Sequence, residues 1–296
     1  MSSSPEPNLE IELRFFVTDV PALQQQLSHL PSFQFIQKKT FRDVYWDTFL
    51  AQEHESFLLT KNDVWLRSRE QDWECKVSRR YSAAIPTPTS SSSSISAPLS
   101  ASHVAQYEEI VSPSKINTFL RNHFPGLHNL PMPTSSPLAL SQIVSEPFQP
   151  PTVPEVLPQC LTPVIVVTTH RHIFRVQDSL HPTPYTVVLD EVEEGEPVIR
   201  DLNASQSPTP RKCKSFAVGE VETMVDKWED ADLAATRIAE FCRKLGLGQT
   251  AGAPDSPSSE RKPIPSKVET FLRWHNPLHY EVLFQAGVLS VKPNPN

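Results

Sequence analysis

The sequence predicts an α+β fold: a closed antiparallel eight-stranded β-barrel, in effect a tunnel, with a charged interior and flanking helices. Two observations carry this. Several strand-like stretches place charges at i and i+2 with apolar residues between: Glu10, Glu12 and Arg14; Arg67 and Arg69; Glu74 and Lys76; Glu220 and Glu222. In a strand, period-2 geometry sends these charges to one face and their apolar neighbours to the other. Between the strands lie segments with the apolar stripe of amphipathic helices, which can cover the apolar faces. A barrel with apolar faces outward under helices and charges inward satisfies every strand at once. An open sheet with helices on one face and its charges in water is the alternative that remains.

In chain order, 9–15 is the first strand, with Ile11, Leu13 and Phe15 opposite its charges. Asp19 or Thr18 can cap a helix with Pro21 in its first turn and a stripe of Leu23, Leu27 and Leu30. A strand over 40–48 puts Asp43, Tyr45 and Asp47 on one face and Val44 and Trp46 on the other. Phe57 to Leu59 reads as a short strand, followed by a turn at Lys61 to Asp63. Strands over 64–70 and 73–77 form a hairpin, the first carrying Trp65, Arg67 and Arg69 on one side. Another strand follows at 106–111, then a helix capped by Ser112 and begun by Pro113, facing the core with Ile116, Phe119 and Leu120. Strands are expected at 164–176, 185–192 and 216–225. Asp230 can cap a helix that Gly246 closes, and Ser266 to Glu269 fits a capping box opening a helix to about Trp274. A last helix runs from about Leu278 to Ala286 and ends at Gly287.

Composition narrows the function. Against 7 glycines stand 30 prolines, concentrated with serine in particular segments, so residues 1–296 read as a single domain with disordered inserts at 82–105, 130–162, 203–214 and 249–265. The net charge of −7 provides no general attraction for nucleic acid or an anionic membrane; any bound anion needs a local cluster of cations. The four cysteines, Cys75, Cys160, Cys213 and Cys242, lack zinc-like spacing and read as reduced thiols. The polar start has no signal-peptide core and no stretch is long and apolar enough to span a bilayer. A soluble, cytoplasmic monomer without nucleic-acid or membrane partners is expected.

A lone buried charge costs several kcal/mol, so an interior holding about a dozen of them must be wet and must bind compensating ions. Paired carboxylates on facing strands suit a hard divalent cation such as Mg²⁺. Paired arginines offer forked donors to phosphate oxygens. Together they imply a metal-bound polyphosphate held by side chains, since no Walker loop or G-x-G-x-x-G is present.

These residues resemble the CYTH, or triphosphate tunnel metalloenzyme, superfamily, and within it the thiamine triphosphatases. The family's E-x-E-x-K hallmark stands here as Glu10-x-Glu12-x-Arg14. Further matches are 41–48, Trp65-Leu66-Arg67-x-Arg69-Glu70, Trp73-Glu74-x-Lys76, Tyr107-x-Glu109, Arg171, Leu189-Asp190, Val218-Gly219-Glu220-Val221-Glu222, and Lys267 opening a helix. The resemblance implies Mg²⁺ or Mn²⁺ held by Glu10, Glu12, Asp190, Glu220 and Glu222, with Glu109 as a further carboxylate. It implies a triphosphate held by Arg14, Arg67, Arg69, Lys76, Arg171 and Lys267. Tyr45 and Lys76 would help activate the attacking water. Trp65 would stack on the thiazolium of thiamine triphosphate, unless it is simply a packed core aromatic. The implied activity is hydrolysis to thiamine diphosphate and phosphate; a less selective inorganic or nucleoside triphosphatase and a non-catalytic polyphosphate-binding module are the alternatives. Two positions depart from the family pattern: Arg14 replaces the usual lysine, and Val188 stands where relatives can carry an aspartate.

Overall fold

The computed structural model of the chain describes residues 8–30, 32–49, 56–79, 104–130, 152–177, 184–193, 216–247 and 264–289. They form eight strands and five α-helices. In chain order these are β1 (Asn8–Val17), α1 (Val20–Ser28), β2 (Phe33–Thr48), β3 (Val64–Arg69), β4 (Asp72–Ser78), β5 (Val104–Val111), α2 (Pro113–His123), β6 (Leu161–Val176), β7 (Tyr185–Glu193), β8 (Phe216–Val225), α3 (Trp228–Lys244), α4 (Lys267–His275) and α5 (Pro277–Gln285). The sheet is antiparallel and closes on itself in the order β1-β5-β4-β3-β2-β6-β7-β8.

The alternation does what its chemistry requires. Ile11 and Phe15 of β1, Val187 and Leu189 of β7 and Val221 of β8 point outward and pack with Leu27 of α1 and Ala231, Ala235, Ile238 and Phe241 of α3. Leu66, Cys75 and Val77 of the β3–β4 hairpin pack with Ile116 and Leu120 of α2. Phe271 and Leu272 of α4 and Leu283 of α5 join Tyr45, Ile165, Val167 and Val192 in a third cluster. Burying one such side chain contributes about 1.5–3 kcal/mol, which draws α1, α2 and α3 onto the outer wall, whereas α4 meets the inward face, where Tyr45 lines the cavity and pairs with Ile165. Gly219 sits where a Cβ would come within 2.1 Å of the Phe15 ring. The glycine between Val218 and Glu220 is therefore set by the close approach of a core aromatic on the neighbouring strand.

Helix ends follow the expected chemistry in four cases. Asp19 accepts from the Ala22 amide at α1, and Ser266 and Glu269 form the capping box of α4. Gly246 and Gly287 take positive φ after α3 and α5.

Other expectations are corrected. Phe57 to Leu59 is not a strand. Phe57 has φ 61°, and the chain enters a short 3₁₀ turn at Thr60–Asn62 because Asp47 accepts hydrogen bonds from the amides of Thr48, Leu59 and Thr60 and from the Thr60 hydroxyl. Helix α3 begins before Asp230, with Lys227 as its cap and Asp230 in the first turn. Ser112 occupies the cap position of α2, but its side chain makes no capping bond. The proline-rich segment expected to lack structure up to Thr162 is built from 152 onward, where buried Leu157 and Cys160 anchor the chain to the α2 cluster before β6 starts at Leu161. The insert expected to end at residue 105 gives way to β5 at Val104, and Ile264 packs against the α3 cluster. The remainder of the four expected inserts lies outside the described residues, as does Cys213. Cys75, Cys160 and Cys242 are free and buried. Among the described residues no helix is long and apolar enough to cross a membrane.

The Asp47 turn also anchors α5. His279 is fully buried, stacks on Phe57 with ring centroids 3.7 Å apart, and its Nε2 lies 2.8 Å from the Thr60 hydroxyl. Burial, with a smaller contribution from Lys61, pushes His279 down to about 3; burial pushes Asp47 up to about 6 against its four donors. These act oppositely on stability. Below its unfolded value of 6.5, His279 binds a proton in the unfolded chain and not in the folded one, so it costs stability as pH falls. Asp47 is destabilising at neutral pH and recovers stability as pH falls through 6 towards 3.8. Replacing His279 by Gln should leave only the carboxyl's contribution. From pH 6.5 towards 4 the variant should gain relative to the unaltered protein by up to ~1.4 kcal/mol per pH unit, read from urea unfolding. Parallel stability curves would contradict this assignment.

Candidate active site: a polarised tunnel

A cavity of about 230 Å³ runs inside the barrel, lined by side chains from seven of the eight strands and from the start of α4. Its walls are polarised. The contiguous arc β8-β1-β5 presents Glu220 and Glu222, Glu10 and Glu12, and Glu109; the arc facing it, β4-β3-β2-β6, presents Lys76, Arg67, Tyr45 and Arg171. Lys267 and Ser266 enter from the α4 end. Arg14 is the cation within the acidic arc.

Of the residues the sequence singles out, Glu10, Glu12, Arg14, Tyr45, Trp65, Arg67, Lys76, Glu109, Arg171, Glu220, Glu222 and Lys267 line this one cavity. Arg69 and Asp190 do not. Arg69 is clamped on Asp43 through Nε at 2.7 Å and lies 3.7 Å over the Phe41 ring. Asp190 accepts two bonds from Arg171 at 2.7 and 2.6 Å and one from Lys267 at 3.2 Å. Asp190 thus serves as the counter-ion of two cations, a different role from that expected of a metal ligand. Val188 pairs directly with Glu220 in the sheet register and is buried, so an aspartate at that position would stand beside Glu220.

Ion pairs hold the charges. Lys76 contacts Glu10 and lies 3.3 Å from Glu109 and 3.8 Å from Glu12. Arg14 donates to Glu12 at 2.5 Å and to the Tyr107 hydroxyl at 3.3 Å. Arg67 donates to Glu74 at 2.6 Å. Burial opposes the charge on Lys76, but Glu10 and Glu12 outweigh it and hold the ammonium well above its ordinary value. With these partners Lys76 is held in its charged form. Burial works against Asp43 as well; Lys267, Arg67 and Arg69 overcome it and keep the carboxylate ionised far into acid. Asp190 is pulled to about 2, Arg171 and Lys267 overcoming its burial.

The acidic arc behaves differently. Burial, then neighbouring carboxylates, raise Glu220, and burial followed by Glu10 raises Glu222 well above the ordinary range. Burial also raises Glu10, against the pull of Lys76. This is the signature of negative charge not fully compensated by the protein. A divalent cation fits the donor set: the carboxylates offer the all-oxygen environment that Mg²⁺ or Mn²⁺ prefers. As they stand, among the described residues, no three His, Cys, Asp or Glu side chains are gathered into a metal-holding set; Lys76 and Arg14 hold Glu10 and Glu12 instead.

Two buried guanidinium donors, one in each arc, are left over. The Nε atoms of Arg14 and Arg67 have no hydrogen-bond partner. An unsatisfied buried donor costs about 1–3 kcal/mol.

Several contributors escaped the sequence reading. Asp43, fully buried, organises Arg67, Arg69 and Lys267; its place on the Tyr45 face was the available signal. Tyr107 and Glu269 line the cavity, and Glu74 pairs with Arg67 from outside the lining. Asp47 shares the Asp43 face but is consumed by the turn at Thr60. Replacing Asp43 by Ala should cost roughly 3–5 kcal/mol, the usual penalty for stripping a buried partner from cations, with part recovered on adding tripolyphosphate. Urea unfolding with and without the anion measures both, and a neutral effect would contradict the organising role.

No curated protein matches the chain significantly. Solved structures with similar folds include a protein of Pyrococcus horikoshii OT3 at 14% identity, covering 80% of this chain and 90% of that one with TM-score 0.38. A putative adenylate cyclase from Vibrio parahaemolyticus matches at 12%, covering 85% and 97% with TM-score 0.37. A conserved hypothetical protein from Pyrococcus furiosus matches at 10%, covering 80% and 91% with TM-score 0.33. The CYTH domain model matches residues 8–256; the family is one of metal-dependent triphosphate tunnels, whose members generally act on triphosphates. With that match spanning nearly the whole barrel, the chain belongs to the CYTH family.

Proposed function

We propose that this protein is a Mg²⁺-dependent hydrolase of thiamine triphosphate, releasing thiamine diphosphate and phosphate. The observation that supports the polyphosphate reading is one cavity lined by Glu10, Glu12, Glu109, Glu220 and Glu222 along one arc and by Lys76, Arg67 and Arg171 along the other, with Arg14 and Lys267 beside them. A polyphosphate lying between the two arcs takes hydrogen bonds from Arg14, Arg67, Lys76, Arg171 and Lys267. The carboxylates of Glu10, Glu12, Glu220 and Glu222, with Glu109 beside them, are the residues that would hold the metal. When bound, the metal supplies charge neutralisation and polarisation of phosphate oxygens.

Phosphoryl transfer needs little covalent help from protein; positioning and electrostatic stabilisation supply most of the rate. Arg171, fixed by Asp190, and Lys267, shared between Asp43 and Asp190, are pre-positioned and need little reorganisation. Lys76 and Tyr45 line the same cavity; the ammonium and the phenol orient the attacking water. The thiamine assignment rests on Trp65, whose half-buried ring lines the cavity and whose indole N–H is held by Asp63 at 2.9 Å. One observation favours a less selective inorganic triphosphatase: Trp65 also meets Tyr45 edge-on at 6.5 Å and packs against the α4–α5 cluster, as a core aromatic would.

Phosphate release should depend on Mg²⁺ and be fastest with thiamine triphosphate in a panel including tripolyphosphate and ATP. Trp65→Ala should raise KM for thiamine triphosphate about tenfold, for a cation–π contact of ~1–2 kcal/mol, and leave tripolyphosphate unchanged. Equal losses on both substrates remove the thiamine assignment; no metal-dependent release from any triphosphate removes the enzyme. Because an anion that claims Arg14 and Lys76 strips Glu12 and Glu10 of their partners, Mg²⁺ and tripolyphosphate should each tighten the other's binding by the same factor. Calorimetric titrations in both orders measure this, and independent binding would contradict it.

A further inference from the structure

The basic wall does not end at the cavity. Phe41 on β2 is almost wholly buried, and four cations surround its ring: Arg69 at 3.7 Å from the centroid, Arg171 and Lys267 each at 5.3 Å, and Lys39 at 5.5 Å. The ring's negative face attracts each of them but carries no net charge to neutralise them. Asp43 and Asp190 are the main carboxylates that serve this group, with Glu220 3.8 Å from Arg171. Asp43 is shared among Arg67, Arg69 and Lys267, and Asp190 between Arg171 and Lys267. Among the described residues no carboxylate lies within ion-pairing distance of Lys39.

Lys39 points to the inside of the barrel. It stands directly opposite Arg171 in the β2–β6 register, and directly paired residues share a face. Arg171 lines the cavity and Lys39 does not, so Lys39 extends the cation row one position along the wall beyond the lining, on the same inward face. Its surroundings work against its own charge: partial burial, then Arg69 and Arg171, lower its pKa. A structural lysine is ordinarily placed beside an acid. This one is placed beside two arginines, an arrangement that costs stability unless an anion arrives.

We infer that Lys39 is a further phosphate-binding residue, donating to an oxygen of the bound polyphosphate from the β2 wall beside Arg171. The inference deepens the proposed function and rests on the reading of the tunnel as a polyphosphate site. It also identifies Phe41 as the spacer that keeps Lys39, Arg69, Arg171 and Lys267 turned towards one region while separating them from one another.

The test is calorimetric binding of tripolyphosphate to the full chain and to two variants, Lys39→Met, which keeps the aliphatic stem, and Lys39→Arg, which keeps the charge. The methionine variant should bind about tenfold more weakly at low salt and show a shallower dependence of affinity on salt. The arginine variant should stay within about threefold of the unaltered protein. Melting temperatures of both should be unchanged or slightly raised, since a repelled cation is removed or retained without loss of a partner. Unaltered affinity and salt dependence in Lys39→Met, with the parent protein binding normally, overturn the role of Lys39 alone. So does an equal loss in both variants, which would mark a packing role. Absence of tripolyphosphate binding by the parent protein overturns this inference together with the polyphosphate reading itself.

Discussion

The structure depends on one constraint: strands such as β1, β3, β4 and β8 carry charge on one face and hydrocarbon on the other, and neither face tolerates the other's environment. Ile11 and Phe15 can be covered by α3 only if Glu10, Glu12 and Arg14 turn the opposite way. An open sheet would leave those charges in water and the two edge strands unpaired. Closure removes the edges, but it draws more than ten ionisable groups into a partly desolvated space. The result is a barrel whose stability is tied to how well its interior ions compensate one another.

Compensation is uneven around the ring. On the basic arc nearly every cation has a carboxylate, because Asp43 and Asp190 serve several cations at once. On the acidic arc Glu220 and Glu222 remain under-compensated, which is why burial and mutual repulsion raise them. Arg14 and Arg67, each with a buried Nε that makes no hydrogen bond, and the two elevated carboxyls of Glu220 and Glu222 belong to the lining of the same cavity. Neither an anion alone nor a cation alone relieves both. A site that lacks one charge of each sign is matched by a ligand that brings both, which is the electrostatic description of a metal-bound polyphosphate.

Strand identity and facing were legible because period-2 alternation survives in single segments: β8 was bounded to the residue, and Glu10, Glu12, Arg14, Arg67, Lys76, Glu220 and Glu222 share the inward face that alternation gave them. What escaped depends on contacts distant in sequence. Asp47 belongs to the interior face by alternation, yet a turn thirteen residues later captures it. Phe57 to Leu59 is apolar enough for a strand, but left-handed φ at Phe57 and the pull of Asp47 bend it into a turn. Lys39 and Asp43 flank Phe41 on the inward face of β2, and their importance appears only when Arg69, Arg171 and Lys267 from three other elements arrive around the ring. Arg69 and Asp190 carried the right residue types, but their strongest partners, Asp43 and Arg171, hold them back from the cavity surface.

The family match ends at residue 256, before α4 begins, yet α4 is integral to the charge balance. Lys267, at its first position, lies 3.2 Å from both Asp43 on β2 and Asp190 on β7. It bridges two strands separated by β6 in the ring. Without that ammonium the two carboxylates would keep Arg67, Arg69 and Arg171 as partners but lose the cation they share. The helix is held against the barrel by Phe271 and Leu272, and its first turn is fixed by the Ser266–Glu269 box, so the ammonium arrives on a rigid mount. A charge delivered in this way is pre-organised, and pre-organised charge is what phosphoryl transfer requires. The apolar contacts of α4 and the electrostatics of the tunnel are thus one device: loosening the packing of Phe271 or Leu272 would move a charge at the centre of the site.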